Sequence, residues 1–279
     1  MRLIRCGGAI MRIPEAPLIP TPETDDARRA VGTRPALRTR RSGFYTGFGV
    51  LLLACVIAGF WPSYYGALLR TGVTPPHPGW IIHAHAAAFL GWMLIFVAQT
   101  TQVWRGRPDL HRKLGVTMAG YGVLVAVFGV FASIALELNR YSFTGDLDVS
   151  AQRLLLNFLS IVLFAGFLAG AVRYRRQPES HMRLMAVATY SLAAAGIGRV
   201  PSRVFDLPPG HPLLSQFLLI APLLLCAAYD LKIRGKVHAV TLLGVVLNLL
   251  VFNLGFFARS DLWTSIGRGL LQPFVCTSA

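Results

Sequence analysis

Residues 105–129 read RGRPDLHRKLGVTMAGYGVLVAVFG, a basic turn with a proline, an acid and a histidine that leads directly into a long apolar run. A second copy of the pattern begins 70 residues later, where 175–184 read RRQPESHMRL. Both copies fit R-x-x-P-[DE]-x-H-x-[KR]-L. Proline is favoured at the first position of a helix, and the free N–H groups and dipole of the first turn favour an acid. Each copy therefore predicts a loop followed by the start of a membrane-spanning helix.

The composition places the chain among membrane proteins, with 54% hydrophobic residues, 14% charged residues and a mean hydropathy of +0.55. A stretch of about 17 to 25 mainly apolar residues is long enough to cross a bilayer as a helix. Seven such stretches predict an all-α, polytopic membrane helical bundle with seven transmembrane helices. They are 44–61, 80–104, 114–136, 154–172, 184–200, 213–229 and 237–257. The fifth is the least apolar of the seven.

Positive charge is unevenly distributed between the two sides of this bundle. The N-terminal tail and the loops after spans two, four and six hold 20 of the 27 Lys and Arg residues, and the other side holds 7. Because basic residues favour the cytoplasmic side, we predict an N-terminus inside and a C-terminus outside a bacterial-type inner (plasma) membrane. This distribution also explains the net charge of +15. We therefore expect a lipid bilayer as partner and no nucleic acid.

The sequence divides into three regions. Residues 1–41 form a basic tail without an apolar run, which predicts a disordered cytoplasmic segment. Residues 42–258 hold the seven predicted spans. Residues 259–279 carry Leu262, Trp263, Ile266 and Leu270 at helical spacing, which predicts a short amphipathic segment on the outer surface. The four cysteines are isolated in sequence and predict neither a disulfide framework nor a metal knuckle.

The two copies of the motif place His111 and His181 at matching depth on one side of the membrane. Beneath each histidine a stripe of small residues follows one helical face. The stripes are Gly115, Ala119, Gly122, Ala126, Gly129 and Ser133, and Ala188, Ser191, Ala195 and Gly198. A groove beneath two neutral imidazoles would admit a flat ligand such as haem b. A metal ion held by His111, His181 and His238 is the second interpretation. Interfacial histidines above small residues that only pack helices are the third.

Other polar residues lie within the predicted spans. His83 and His85 point about 200° apart on a helix. The face of His85 continues through Trp92, Gln99 and Gln102, so His85 is predicted to face inward. Polar groups within a bilayer are functional candidates, although they also join helices by hydrogen bonds.

Two further polar residues lie in later spans. Arg199, near the outer end of span five, would either pair with Asp206 or bind an anionic group such as a haem propionate. Asn248 continues the face of His238 along span seven. We predict Arg199 and His85, together with His111 and His181, as cofactor-binding residues, and Asn248 as part of the polar interior with Trp92, Gln99 and Gln102.

Several short patterns occur together in spans two to five: H-A-H at 83–85, Trp92, Gln99, L-H-R-K-L-G at 110–115 and H-M-R-L-M at 181–185. As a set they resemble a group of uncharacterised bacterial polytopic membrane proteins, over about 120 residues. A more distant resemblance is to transmembrane b-type cytochromes, which hold haem between histidines on neighbouring helices. That resemblance implies a haem b between histidines of this bundle.

Three functions follow from these features. The first is a histidine-ligated, cofactor-binding redox-type membrane protein with haem b or a metal ion. The second is a transporter or permease for a small solute, and the third is an assembly or scaffold protein without catalysis. Haem, a quinone or a small solute would be the ligands. The sequence has no phosphate-cradling glycine loop, no H-E-x-x-H and no G-x-S-x-G, and whether the protein is an enzyme stays open.

Overall fold

The computed structural model describes residues 2–6, 9–13, 34–72, 79–205, 212–255 and 257–275. The chain divides into two units, Met1–Arg38 and Thr39–Ala279. In the first unit, β1 (Arg2–Cys6) and β2 (Ala9–Ile13) pair antiparallel. Residues 14–33 lie outside the described part of the chain, so the predicted disorder of the tail stays a prediction.

All further elements are helical. They are α1 (Arg34–Phe60), α2 (Gly66–Thr71), α3 (Gly79–Trp104), α4 (Pro108–Thr144), α5 (Leu147–Arg173), α6 (Pro178–Ile197), α7 (Val200–Val204), α8 (Pro212–Arg234), α9 (Ala239–Asn253) and α10 (Asp261–Leu271). A π-helical turn, Trp61–Tyr65, joins α1 to α2, and 3-10 turns at Phe257–Arg259 and Gln272–Phe274 flank α10.

The described residues contain seven segments that are long and apolar enough to cross a membrane. They are Gly43–Thr71, Gly79–Trp104, Pro108–Thr144, Leu147–Arg173, Pro178–Val204, Ser215–Arg234 and Ala239–Arg259. Seven candidate spans in an all-helical bundle are what the hydropathy pattern predicts, and each overlaps one predicted stretch.

The two copies of the motif begin helices as predicted. Pro108 and Pro178 lie in the first turns of α4 and α6, each followed by an acid in the same turn. The end of α4 differs from the prediction, which stopped span three at residue 136. The helix continues to Thr144 and stops at Gly145, whose φ of 67° is readily adopted only by glycine. At 37 residues α4 is about 55 Å long.

Short loops make α3, α4, α5 and α6 antiparallel neighbours. We call the end of the bundle at loops 105–107, 174–177 and 235–238 the basic end. The end at loops 145–146 and 198–199 is the opposite end. α6 lies at the centre, where it packs against α3, α5, α8 and α9. In its central stretch 72% of the residues are buried, against at most 33% in any other span.

Candidate functional site

The first turns of α4 and α6 bring His111 and His181 into contact at the basic end. Their ring centroids lie 6.0 Å apart, and the ring planes make an angle of 70°. The repeat places both residues at the same point of a returning helix, and the packing of α4 and α6 around α5 makes them neighbours. The two histidines therefore form a pair across helices.

The ring of His181 has a fixed orientation. Its Nδ1 lies 2.9 Å from the main-chain oxygen of Ala171 on α5. A carbonyl oxygen only accepts hydrogen bonds, so we assign the proton to Nδ1, which donates it. In this tautomer Nε2 keeps a lone pair that can bind a ligand.

Two polar atoms beside the pair are buried and have no hydrogen-bond partner among the described residues. They are Nδ1 of His111 and the side-chain oxygen Oε1 of Gln99. The ring of His111 interacts with the main chain of Gln99, so both atoms belong to the same region of the basic end. A buried polar atom without a partner costs about 1–3 kcal/mol. These two atoms therefore point to a ligand, an ion or a water molecule as their partner.

The separation of the rings agrees with a shared metal ion. A metal about 2.0–2.1 Å from each coordinating nitrogen holds two opposed imidazole centroids at most roughly 6.4 Å apart. The observed 6.0 Å lies within this limit.

The groove predicted beneath His111 is mostly filled. A Cβ on Gly122 would lie 2.7 Å from the ring of Trp92 and would also meet Leu168, and a Cβ on Gly129 would lie 3.2 Å from Phe89. Gly115, one turn below His111, has open space. Gly122 and Gly129 thus pack against large side chains, whereas a Cβ on Gly115 would have no neighbour within 4 Å.

His238 does not join the pair, which corrects the interpretation of a three-histidine metal site. It is the N-cap of α9, where its Nδ1 accepts a hydrogen bond from the main-chain N–H of Val240 at 3.1 Å. Burial, followed by the nearby charges of Arg183 and Arg234, lowers the pKa of His238 below its ordinary value of 6.5. Within the described ranges, no group of three or more His, Cys, Asp or Glu side chains is placed to hold a metal.

A buried ion pair beside this site was missed by sequence reasoning. Nε and Nη2 of Arg183 donate to Oδ1 of Asp230 at 2.8 and 2.5 Å, and both side chains are 1% exposed. Oδ2 of Asp230 accepts from the hydroxyl of Thr241 at 2.6 Å and from the main-chain N–H of His238 at 3.1 Å. Glu179 accepts from Nη1 of Arg183 at 2.8 Å. This network joins α6 to α8 and α9, so the basic residue of the second motif copy is structural.

Two of the predicted polar interior residues hold helices together. Nε1 of Trp92 donates to Thr189 across α3 and α6 at 3.3 Å. Asn248 accepts from the hydroxyl of Ser191 at 3.3 Å, which joins α9 to α6. Gln102 is half-buried in the last turn of α3. The contacts of Trp92 and Asn248 therefore support a role in joining helices by hydrogen bonds.

His85, near the start of α3, and Arg199, just after α6, lie at the opposite end. At about 1.5 Å per residue, Arg199 is roughly 27 Å from His181 along the helix axis. The His85 ring packs on Phe89 at 4.2 Å, while His83 is exposed and its Nδ1 is hydrogen-bonded to Tyr64. The guanidinium of Arg199 lies 4.5 Å above the Phe60 ring. The four predicted cofactor-binding residues thus form two separate sites. Asp206, the predicted partner of Arg199, lies outside the described residues, as do His77, His211 and Cys276.

No protein-family model matches this chain, and comparisons with curated proteins and with solved structures return no match.

Proposed function

We propose that this chain is a cofactor-binding protein of a bacterial-type inner membrane, with a transition-metal ion held between His111 and His181. The observation that carries the proposal is the contact of two imidazoles from different helices, 6.0 Å apart between ring centroids. One ring is fixed through its hydrogen bond to Ala171, and the other has a buried nitrogen with no partner in the described part of the chain. The charge bias supports a cytoplasmic basic end.

The donor set favours a first-row transition metal. Neutral imidazole suits Zn, Cu, Fe and Ni, whereas Mg and Ca prefer oxygen ligands. Two histidines leave coordination positions open, and Oε1 of Gln99 can bind the ion or a water molecule on it. A copper or iron ion bound here would supply one-electron redox chemistry. His111 and His181 would hold it, and Ala171 would keep His181 in the required tautomer.

The metal form of the proposal has more support than the haem form. A haem bound by both histidines needs a flat space between and beneath the rings, and Trp92, Leu168 and Phe89 fill the deeper part of the predicted groove. The site therefore suits an ion that exchanges with the aqueous phase at the basic end.

Metal binding by the purified protein tests this proposal. The full chain in mild detergent is loaded separately with Cu(I), Zn(II) and Fe(II), and bound metal is counted by elemental analysis. We expect about one ion per chain for at least one metal, and at least about a tenfold loss of affinity in His111→Ala and in His181→Ala. His83→Ala, an exposed histidine at the other end, is the matched control.

Two results would overturn the proposal. One is a protein that binds none of the three metals, and the other is unchanged affinity in both histidine variants. Absorption spectra of protein from haem-replete cells distinguish a bound haem from a bound metal ion. If the native protein shows a Soret band and both histidine variants lose it, His111 and His181 bind haem iron rather than a single metal ion.

A further inference from the structure

A second cluster of charged residues lies at the opposite end of the bundle, around the carboxylate of Glu137. Its side chain is 4% exposed although it belongs to a candidate span. Nε of Arg140 lies 3.0 Å from one carboxylate oxygen, and Nε of Arg153 lies 3.7 Å from the other. Asn157 donates to Glu137 at 3.3 Å. Residues of α4 and α5 therefore fix this carboxylate.

Positive charge exceeds negative charge in this cluster. Arg199, at the end of α6, interacts electrostatically with Arg140, Arg153 and Arg203, and with Glu137 as the one acid among these partners. These four arginines belong to the seven Lys and Arg residues that lie against the charge bias of the chain. The orientation of the protein does not explain them, and one carboxylate neutralises only one of them.

The guanidinium groups keep donors for a further anion. Arginine has five N–H donors in a planar fork, and the closest contact of Arg140 and of Arg153 with Glu137 uses Nε. The two arginine side chains are 38% and 44% exposed, in contrast to the buried carboxylate. An anion that approaches from the aqueous side thus meets two partly exposed arginines whose charge Glu137 only partly neutralises.

A buried imidazole nitrogen adds an independent observation. Nδ1 of His85 is buried and has no hydrogen-bond partner in the ranges that the structure describes. His85 lies near the start of α3, at the same end of the bundle as Arg199 and Glu137. A neutral imidazole can donate one hydrogen bond from Nδ1 to an oxyanion.

We propose that Arg140, Arg153, Arg199 and His85 bind a phosphate group at this end of the bundle, where the single carboxylate of Glu137 neutralises only part of the positive charge. Guanidinium groups match phosphate oxygens in charge and in bidentate geometry. The phosphate belongs either to a lipid headgroup or to a free anion. The site is separate from the histidine pair, so its test does not depend on the proposed metal ion.

The experiment uses the full chain in dodecyl maltoside, a detergent that contains no phosphate. One arm titrates inorganic phosphate by calorimetry, and the other adds phosphatidylglycerol and counts retained lipid by native mass spectrometry. We expect binding in at least one arm. Binding of inorganic phosphate identifies a free anion as the ligand, and retained phosphatidylglycerol identifies a lipid headgroup. Arg153→Gln and Arg199→Gln should each weaken it by about tenfold or more. Arg70→Gln, on the same side of the membrane, is the control for the loss of one charge.

Glu137→Gln separates a binding site from a structural ion cluster. It keeps a polar group for Asn157 but removes the charge that competes with the ligand, so phosphate should bind about tenfold more tightly. Arg153→Lys, which keeps the charge without the planar fork, should bind more weakly than the native chain even if Arg199→Gln fails to fold. No binding in either arm would overturn the proposal, as would unchanged binding in Arg153→Gln or weaker binding in Glu137→Gln.

Discussion

The basic residue that follows the histidine has different roles in the two copies of the motif. Lys113 in the first copy is exposed, whereas Arg183 in the second is buried against Asp230. A charge that loses water is stable only when it is paired and hydrogen-bonded. Arg183 fulfils this condition through Asp230 and Glu179. The same motif position is therefore a surface residue in one hairpin and a connection between hairpins in the other.

Removal of one partner of this pair should destabilise the bundle strongly. We expect Arg183→Met to lower the free energy of unfolding by about 3–5 kcal/mol, because it leaves Asp230 buried and unpaired. The double variant Arg183→Met/Asp230→Leu should recover much of this loss. Lys113→Met is the matched control, with an expected change within about 0.5 kcal/mol. Thermal unfolding in detergent measures all three, and equal stability of Arg183→Met and Lys113→Met would contradict the prediction.

Stability should also depend on the protonation of His238. Its pKa is lowered in the folded chain, so the unfolded chain binds its proton first as the pH falls. The stabilisation is complete above the ordinary value of 6.5 and decreases as the pH falls below it. His238→Ser keeps an N-cap oxygen without a titrating group. Unfolding curves at pH 7.5 and 5.5 should therefore differ less for this variant than for the native chain. An identical pH dependence in both chains would exclude His238 as the cause.

Sequence reasoning found the histidine pair but not the ion pair, for a physical reason. His111 and His181 occupy the same position of a repeated pattern, and the pattern fixes their depth in the membrane. Arg183 and Asp230 lie 47 residues apart in different hairpins, and no spacing rule connects them. Their contact depends on how α6 packs against α8, which the hydropathy pattern does not determine.

At the scale of helices, glycine positions determine how closely the spans approach. Gly122 on α4 accommodates the ring of Trp92 from α3. Gly59 on α1 and Gly196 on α6 meet at a crossing where a Cβ on Gly196 would lie 2.8 Å from the Cα of Val56. Small residues permit such close contact of helices in a membrane. The stripe of small residues in span three is thus explained by packing along most of its length.

A methyl group at Gly122 should disturb this packing. Gly122→Ala places a Cβ 2.7 Å from the Trp92 ring, and we expect a loss of about 1–3 kcal/mol in stability. Gly120→Ala is the control in the same helix, because nothing lies within 4 Å of its Cβ. That change should be neutral or should stabilise the helix by up to about 1 kcal/mol. Thermal unfolding compares the two variants. Equal stabilities would show that the Trp92 ring moves away from the new methyl group without a loss of stability.

The C-terminal segment is helical as its spacing predicts, but one of its faces packs on the protein. Nε1 of Trp263 donates to the main-chain oxygen of Ala151 at 2.8 Å, and Leu271 is fully buried. Arg268 pairs with Asp148 at the start of α5. The apolar side chains on the other face are exposed: Leu262, Ile266 and Leu270. α10 therefore has one face for α5 and a second face suited to a lipid surface.

Loss of the Trp263 contact should release α10. We expect Trp263→Ala to increase proteolytic cleavage within residues 257–275, because it removes both the buried ring and its hydrogen bond to Ala151. Leu262→Ala, at a position 63% exposed, should leave the cleavage rate unchanged in detergent. Limited proteolysis followed by mass spectrometry compares the rates. Equal cleavage of Trp263→Ala and the native chain would show that other contacts hold the segment.

For the whole molecule, the sequence predicts the number of spans and their order but not their arrangement. Each span is long and apolar enough to be recognised by itself. The sequence does not predict the central place of α6, because this place depends on several neighbouring helices at once. The charged cluster around Glu137 follows from the same packing, which brings the ends of α4, α5 and α6 together. Its residues are ordinary flanking arginines in the linear sequence.

The enclosed position of α6 has a consequence for the biogenesis of the protein. This span is the least apolar of the seven and the most enclosed. Two of its hydroxyl groups have partners on later helices, since Tyr190 donates to the main-chain oxygen of Leu219 and Ser191 donates to Asn248. When α6 first emerges from the ribosome, neither partner has been synthesised. We therefore expect stable integration of this helix to wait for α8 and α9, so that the membrane accepts the second half of the protein as one assembly.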